Sequence, residues 1–350
     1  MNKRIFIVHS YPIQYFPPAF NMVAELKKQG ILVKVKTTLP VKCGRVMRLL
    51  RSLWFELSSL AQMILWKPDV VLYYESSSAL SPYFYKRYFN HNVRVFAHYH
   101  EYMTPAEYNR PGMRVSAYNH AKEQSWLYEH IEWVSHTNEK RVELFLNDNP
   151  SIQPNRMHIL PNYPPKSWWR KQKVHGGDVC KCVYVGSLSL KDTFVLEFCE
   201  WVARQKGRVT FDIYCFNFHT DTLQAVMQLQ CPWITFNKEG VKYQDIPDLL
   251  DGYDVGVLLY RANILNVKWC ETNKLYEYLI CGLDVWYPKE MTYIQQMDKT
   301  KFSLNIIEMN FERIDTMTYD IQNRIVDNTS YNLFADDVYD KFIHTQIEKK

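Results

Sequence analysis

Short β-branched or apolar runs alternate with helical stretches from one end of this chain to the other, and a chain so built buries both by forming parallel sheets covered by helices. In the first half, strands are predicted at residues 4–9, 31–37, 70–74, 93–98, 133–136 and 157–160. Helical patterns fill the gaps near 19–29, 44–66, 79–90, 117–129 and 139–146. After residue 179 the alternation restarts. Strands are predicted at 180–185, 209–214, 233–236, 255–259 and 284–287, and helices at 193–205, 222–229, 243–250 and 274–281.

The two series are separated by Pro161-Asn162-Tyr163-Pro164-Pro165, a basic aromatic stretch from Lys166 to Lys173, and Gly176-Gly177. Proline and glycine at this density mark a boundary. With 350 residues, the chain suits two domains. We read residues 1–165 as an N-terminal Rossmann-like domain, 166–178 as a linker, 179–330 as a second Rossmann-like domain, and 331–350 as a helix that can cross back. The expected fold class is α/β, with two parallel-sheet domains facing across a cleft. Open α/β sheets bind ligands at the carboxyl ends of their strands, so this plan suits a two-substrate enzyme.

Charge and cysteine usage narrow the function classes. The net charge of +5 is mildly basic and does not imply nucleic acid. The short Trp168-Trp169-Arg170-Lys171 stretch reads as linker rather than as a stacking platform. The start Met-Asn-Lys-Arg followed by four apolar residues does not read as a secretory signal, and no run reaches the roughly 20 apolar residues of a spanning helix. The eight cysteines are scattered and form no Cys-x-x-Cys pair, which suits reduced core thiols in a cytoplasmic protein. There is no Asp-x-Asp to hold a divalent ion, Asp336 and Asp337 being adjacent, so no metal and no other cofactor is expected.

The most informative segment is Thr272-Asn273-Lys274-Leu275-Tyr276-Glu277-Tyr278-Leu279-Ile280-Cys281-Gly282-Leu283-Asp284-Val285. Thr272 or Asn273 caps a helix, Leu275, Tyr278 and Leu279 form its buried stripe, and Gly282 ends it before a strand. Free amides at such a start attract phosphate, and Lys274 adds positive charge. From one turn inside, Glu277 can accept hydrogen bonds from a ribose diol.

Asn-Lys-Leu-x-Glu-Tyr-Leu-x-x-Gly-x-x-Val, preceded by the run Asp254 to Tyr260, resembles the C-terminal domain of GT-B type glycosyltransferases, and among them the retaining group that builds bacterial surface polysaccharides. Tyr11-Pro12-Ile13-Gln14-Tyr15-Phe16, Ile159-Leu160-Pro161-Asn162-Tyr163-Pro164 and Tyr184-Val185-Gly186-Ser187-Leu188 are similar to further segments of the same group, in the same order. The resemblance implies that Glu277 binds the ribose of a nucleotide sugar, that Asn273 and Lys274 face the diphosphate, and that Gly186 and Ser187 lie beneath it. Relatives carry Arg where this chain has Ser187; Lys191 and Arg261 are the available replacements. Relatives also carry a second glutamate eight residues before the first. Here that position is Trp269, and Glu271 stands six before.

In the first half, His98-Tyr99-His100-Glu101 ends the fourth strand, where open sheets place functional groups. We read His100 and Glu101 as acid–base candidates, and His9, Gln14, His98 and Glu271 as contacts to donor sugar or acceptor. The 44–66 helix shows a stripe of Val46, Leu49, Leu50, Leu53, Leu57, Leu60 and Ile64, with Lys42, Arg45, Arg48 and Arg51 at its start. It reads either as a core helix with a solvated basic end or as a contact to an inner-membrane surface.

The expected function is transfer of a hexose from a nucleotide-diphospho-sugar to a glycan or lipid-linked glycan acceptor in surface-polysaccharide assembly, retaining and metal-independent, at the cytoplasmic face of the membrane. A sugar-nucleotide epimerase on the same fold and a non-catalytic binding protein are the alternatives.

Overall fold

The computed structural model describes residues 3–38, 44–319 and 323–348, the side chain of Arg45 aside. Lys42 and Cys43 lie outside the described residues. The chain forms two compact units, residues 1–162 with 335–350, and residues 163–334.

The first unit is built on β1 (Arg4–His9), β2 (Leu32–Lys36), β3 (Val70–Tyr74), β4 (Arg94–Tyr99), β5 (Trp133–His136) and β6 (Met157–Ile159). All pairings are parallel, in the order β2-β1-β3-β4-β5-β6. The central strands are continuous apolar runs because both faces are covered. Phe6, Val8, Val71 and Tyr73 point to one face, which receives Phe55 and Met63 of the Arg45–Trp66 helix. Ile5, Ile7, Val70, Leu72 and Tyr74 point to the other, against the Pro17–Lys28 helix and the C-terminal segment. That segment begins with the Ala335–Phe342 helix. It is tied down by Phe342, Ile343 and Ile347 and by Tyr339 Oη, which donates to Pro18 O (3.2 Å).

The second unit repeats the plan. Its parallel sheet has the order β10-β9-β8-β11-β12-β13, from β8 (Cys180–Val185), β9 (Val209–Tyr214), β10 (Ile234–Asn237), β11 (Val255–Val257), β12 (Asp284–Pro288) and β13 (Ile306–Met309). A separate antiparallel ribbon pairs β7 (Gln172–His175) with β14 (Arg324–Asp327). This corrects the reading of residues 166–178 as a linker. Trp168 is buried, Lys173 Nζ donates to Leu250 O, and His175 Nε2 lies 2.6 Å from Gly282 O, so the stretch belongs to the second unit. The strand was hidden because its partner, β14, is about 150 residues away in sequence and equally short.

The Asn273–Ile280 helix is fixed to this sheet by one close approach. A side chain at Gly256, in the middle of β11, would collide with the ring of Tyr278. Val185 N–H donates to Tyr278 Oη (3.2 Å), so the same side chain reaches β8. The helix then ends in a Schellman turn: Leu283 N–H donates to Tyr278 O (3.0 Å) and Gly282 N–H to Leu279 O (3.1 Å), with Gly282 at φ 76°. Leu275, Tyr276, Tyr278, Leu279 and Ile280 are all buried. Gly256→Ala is therefore expected to overpack this contact and destabilise the second unit by about 3 kcal/mol. Denaturant unfolding of the variant checks this, through a lowered midpoint at unchanged slope.

Candidate functional site

In the second unit, three elements converge at the carboxyl ends of β8 and β11. Gly186 follows β8 at φ 146°, and a side chain there would collide with Lys274, whose Nζ lies 2.7 Å from where its Cβ would be. Lys274 Nζ donates to Tyr260 Oη (2.9 Å) and stands over the rings of Tyr184 (5.7 Å) and Tyr260 (5.4 Å). Burial works against its charge, but Tyr260 and Glu277 outweigh it, and the ammonium is held above the usual lysine range. A charged lysine thus rests on a glycine turn, where backbone and cation can both approach an anion.

Glu277 is 6% exposed, and its carboxylate has no hydrogen-bond partner among the described residues. Burial raises its pKa to about 7, with Lys274 pulling the other way. A carboxyl so placed can accept hydrogen bonds from a ligand, and a vicinal diol supplies two donors. The helix start is open in the same sense. Thr272 occupies the N-cap but makes no side-chain capping bond, and Asn273 Oδ1 is buried without a partner.

The other residues singled out in this half are less convergent. Ser187 is exposed, its hydroxyl accepting from Asn217 Nδ2 (3.3 Å). Lys191 is exposed. Arg261 is committed elsewhere: its guanidinium pairs with Glu197, donates through Nε to Leu190 O (3.3 Å) and lies 4.3 Å over the Phe194 ring. Glu271 is buried and accepts from Tyr293 Oη (2.9 Å), so its carboxylate is turned towards an aromatic cluster.

In the first unit, the strand ends gather a set of imidazoles. His9 ends β1 and His98 lies one residue before the end of β4. Tyr74, at the end of β3, stands between them, with ring centroids 5.3 Å and 5.5 Å away. Phe16, from the turn carrying the exposed Gln14, packs on His9 (4.4 Å) and on His100 (4.8 Å). His9 Nδ1 lies 2.8 Å from Tyr11 O and 2.9 Å from Tyr11 N, and His98 Nδ1 lies 2.8 Å from Ser135 Oγ. In both rings Nε2 is buried without a partner. Burial lowers the pKa of His9 to about 4 and carries His98 well below the usual histidine range, so both are neutral near pH 7. Neutral imidazoles with one free nitrogen suit hydroxyl groups rather than anions.

His100 and Glu101 lie just past β4. Asn162 Nδ2 is 2.9 Å from His100 Nδ1. Glu101 is exposed. The residue that sequence reasoning missed is Glu75. Its Oε1 accepts from both His100 N–H (2.7 Å) and Glu101 N–H (3.1 Å). Its backbone sits at φ 61°, ψ 154°, a region that disfavours every residue but glycine. Burial and the neighbouring Glu101 raise its pKa to about 8. Buried Arg141 adds a bond to His100 O. Nothing in the local sequence around Ser76-Ser77-Ser78 signals this strained brace.

No family model and no curated protein matches the sequence. Solved structures do match the fold. HepE from Anabaena, in complex with UDP and glucose, aligns over 100% of both chains with a TM-score of 0.67 at 11% identity. OtsA in its apo form covers 99% of this chain and 100% of its own, with a TM-score of 0.68 at 9% identity. A putative UDP-N-acetylglucosamine 2-epimerase from Listeria monocytogenes covers 100% and 98%, with a TM-score of 0.63 at 9% identity. The chain has the GT-B fold, as the motif resemblance implied.

Glu277 also makes a measurable statement about stability. Its carboxyl titrates near 4.5 when unperturbed and near 7 in the fold. Between these values the folded state keeps a proton that the unfolded chain has released, so stability falls as pH rises through that window, by on the order of 3 kcal/mol. Glu277→Gln is expected to remove this slope. Denaturant midpoints compared at pH 5 and pH 7.5 test it.

Proposed function

We propose that this protein is a glycosyltransferase that moves a hexose from a nucleotide-diphospho-sugar to a glycan or lipid-linked glycan acceptor in surface-polysaccharide assembly, at the cytoplasmic face of the membrane. The observation that carries this reading is the seating of charged Lys274 on Gly186 beside the buried carboxyl of Glu277. That set offers a diphosphate a cation, a close backbone and an open helix start, and offers a ribose an acceptor one helical turn away.

In this reading the chemistry is mostly positioning and leaving-group stabilisation. Lys274 and the amides of residues 273 and 274 hold the departing nucleoside diphosphate, supplying the positive charge from the chain itself. Asn273 orients the same group, and Gly186 and Ser187 form its floor. Lys191, being exposed, is free to swing in, whereas Arg261 would first have to leave Glu197. The neutral His9 and His98, with Gln14, take uncharged sugar or acceptor hydroxyls. His100 and Glu101, braced by Glu75, are the groups placed to receive the acceptor proton. The resemblance favours retention of configuration.

The structural likeness to UDP-N-acetylglucosamine 2-epimerases sustains a second reading, an enzyme that converts the nucleotide sugar with no acceptor. Product analysis separates the two. Consumption of nucleotide sugar only when an acceptor is present supports the transferase, and a new sugar nucleotide formed from donor alone supports the epimerase. Within the transferase reading, Glu277→Ala is expected to raise the donor Km at least ten-fold while changing kcat little. Lys274→Ala is expected to lower kcat by about 100-fold or more. Steady-state kinetics on the purified variants check both.

A further inference from the structure

The Arg45–Trp66 helix buries only the C-terminal part of the stripe that its periodicity displays. Its core contacts are Phe55, Glu56, Ser59 and Met63, with Leu60, Ile64 and Trp66 half-buried beside them. Val46, Leu49, Leu50, Leu53, Trp54 and Leu57 are instead between 49% and 73% exposed. No described side chain before Phe55 is buried, so the first ten residues, about 15 Å of helix, carry their apolar face in the open. Tyr88 and Phe89 are also exposed, on the Tyr85–Phe89 turn that packs against this helix. Arg87 lies 5.5 Å over the Tyr88 ring. An exposed apolar surface of this extent is unfavourable in water and marks a contact.

Charge identifies the contact. The helix holds Arg45, Arg48 and Arg51 in its first two turns, and its one acid, Glu56, is buried and accepts from Ser81 N–H (2.8 Å). The exposed first half therefore carries no acidic group. Positive charge at a helix start opposes the helix dipole, so intrahelical electrostatics does not explain it, while an anionic surface does. No helix among the described residues is long and apolar enough to cross a membrane.

We propose that residues 46–57 lie in the interfacial layer of a bilayer rich in anionic lipid, with the leucines and Trp54 among the upper acyl chains and the arginines at headgroup phosphates. This rests on the membrane location in the proposed function and names the surface and lipid chemistry that achieve it. It does not depend on the transferase chemistry, and it is tested without substrate, so either can fail alone.

The test is co-sedimentation of the full chain with phosphatidylcholine vesicles and with vesicles containing phosphatidylglycerol, together with light scattering for oligomeric state. Binding is expected only with phosphatidylglycerol. Arg48→Glu with Arg51→Glu should weaken it by at least about 25-fold, taking roughly five-fold per basic residue. Leu50→Glu with Leu53→Glu, both exposed, should abolish it while leaving the melting temperature unchanged. Three results overturn the proposal: no binding to either vesicle, equal binding to both, or a wild-type dimer that the leucine variant dissociates with no vesicle binding.

Discussion

One aromatic ring on one glycine sets the geometry of the candidate donor site. Tyr278 lies where a side chain of Gly256 would be, and its hydroxyl takes the amide of Val185. That contact draws the Asn273–Ile280 helix onto β11 and β8 at a fixed height. The height decides where the first turn stands relative to the strand ends. It puts Lys274 on Gly186 and turns Glu277 into the space one turn deeper. A larger residue at position 256 or a smaller ring at 278 would leave the same chemical groups in the chain without bringing them together.

The two units present different electrostatic offers at their strand ends. In the second, a half-buried lysine keeps its charge because Tyr260 and Glu277 compensate for lost hydration, and a buried carboxyl lies beside it. Such a site is complementary to a group carrying both anionic oxygens and hydroxyls. In the first, desolvation keeps His9 and His98 uncharged. Those rings discriminate against an anion and favour hydroxyls. The strained backbone at Glu75 fits this division, since strain persists where the surroundings over-determine a conformation, here two amides and a buried arginine converging on one turn.

Much of the architecture was legible in the sequence because parallel strands buried on both faces are plain apolar runs. β1, β3, β5, β8 and β9 lie where those runs predict. β7, β13 and β14 escaped, being short, mixed in composition and, for β7 and β14, dependent on a distant partner. The 45–66 helix shows the limit of periodicity: a stripe at helical spacing reveals an amphipathic helix, but not what covers it. Here a core face of Phe55, Ser59 and Met63 was outshone by a more apolar outward face. At the site, Gly186, Asn273, Lys274 and Glu277 were readable because they sit in short motifs on one turn and one helix. The pairing of Arg261 with Glu197 was not, since 64 residues separate them. Glu75 carries no motif and acts through its backbone angles.

Whether Lys274, Gly186 and Glu277 form a nucleoside-diphosphate site is read directly from thermal unfolding of the purified chain against UDP, GDP, ADP and CMP. A ligand that binds the folded state raises the melting temperature by mass action. A clear rise is expected with one nucleoside diphosphate, little with the monophosphate, and loss of the rise in a Lys274→Ala, Glu277→Gln double variant. No rise with any nucleotide, or a rise that survives in the double variant, would rule out a diphosphate site at these residues.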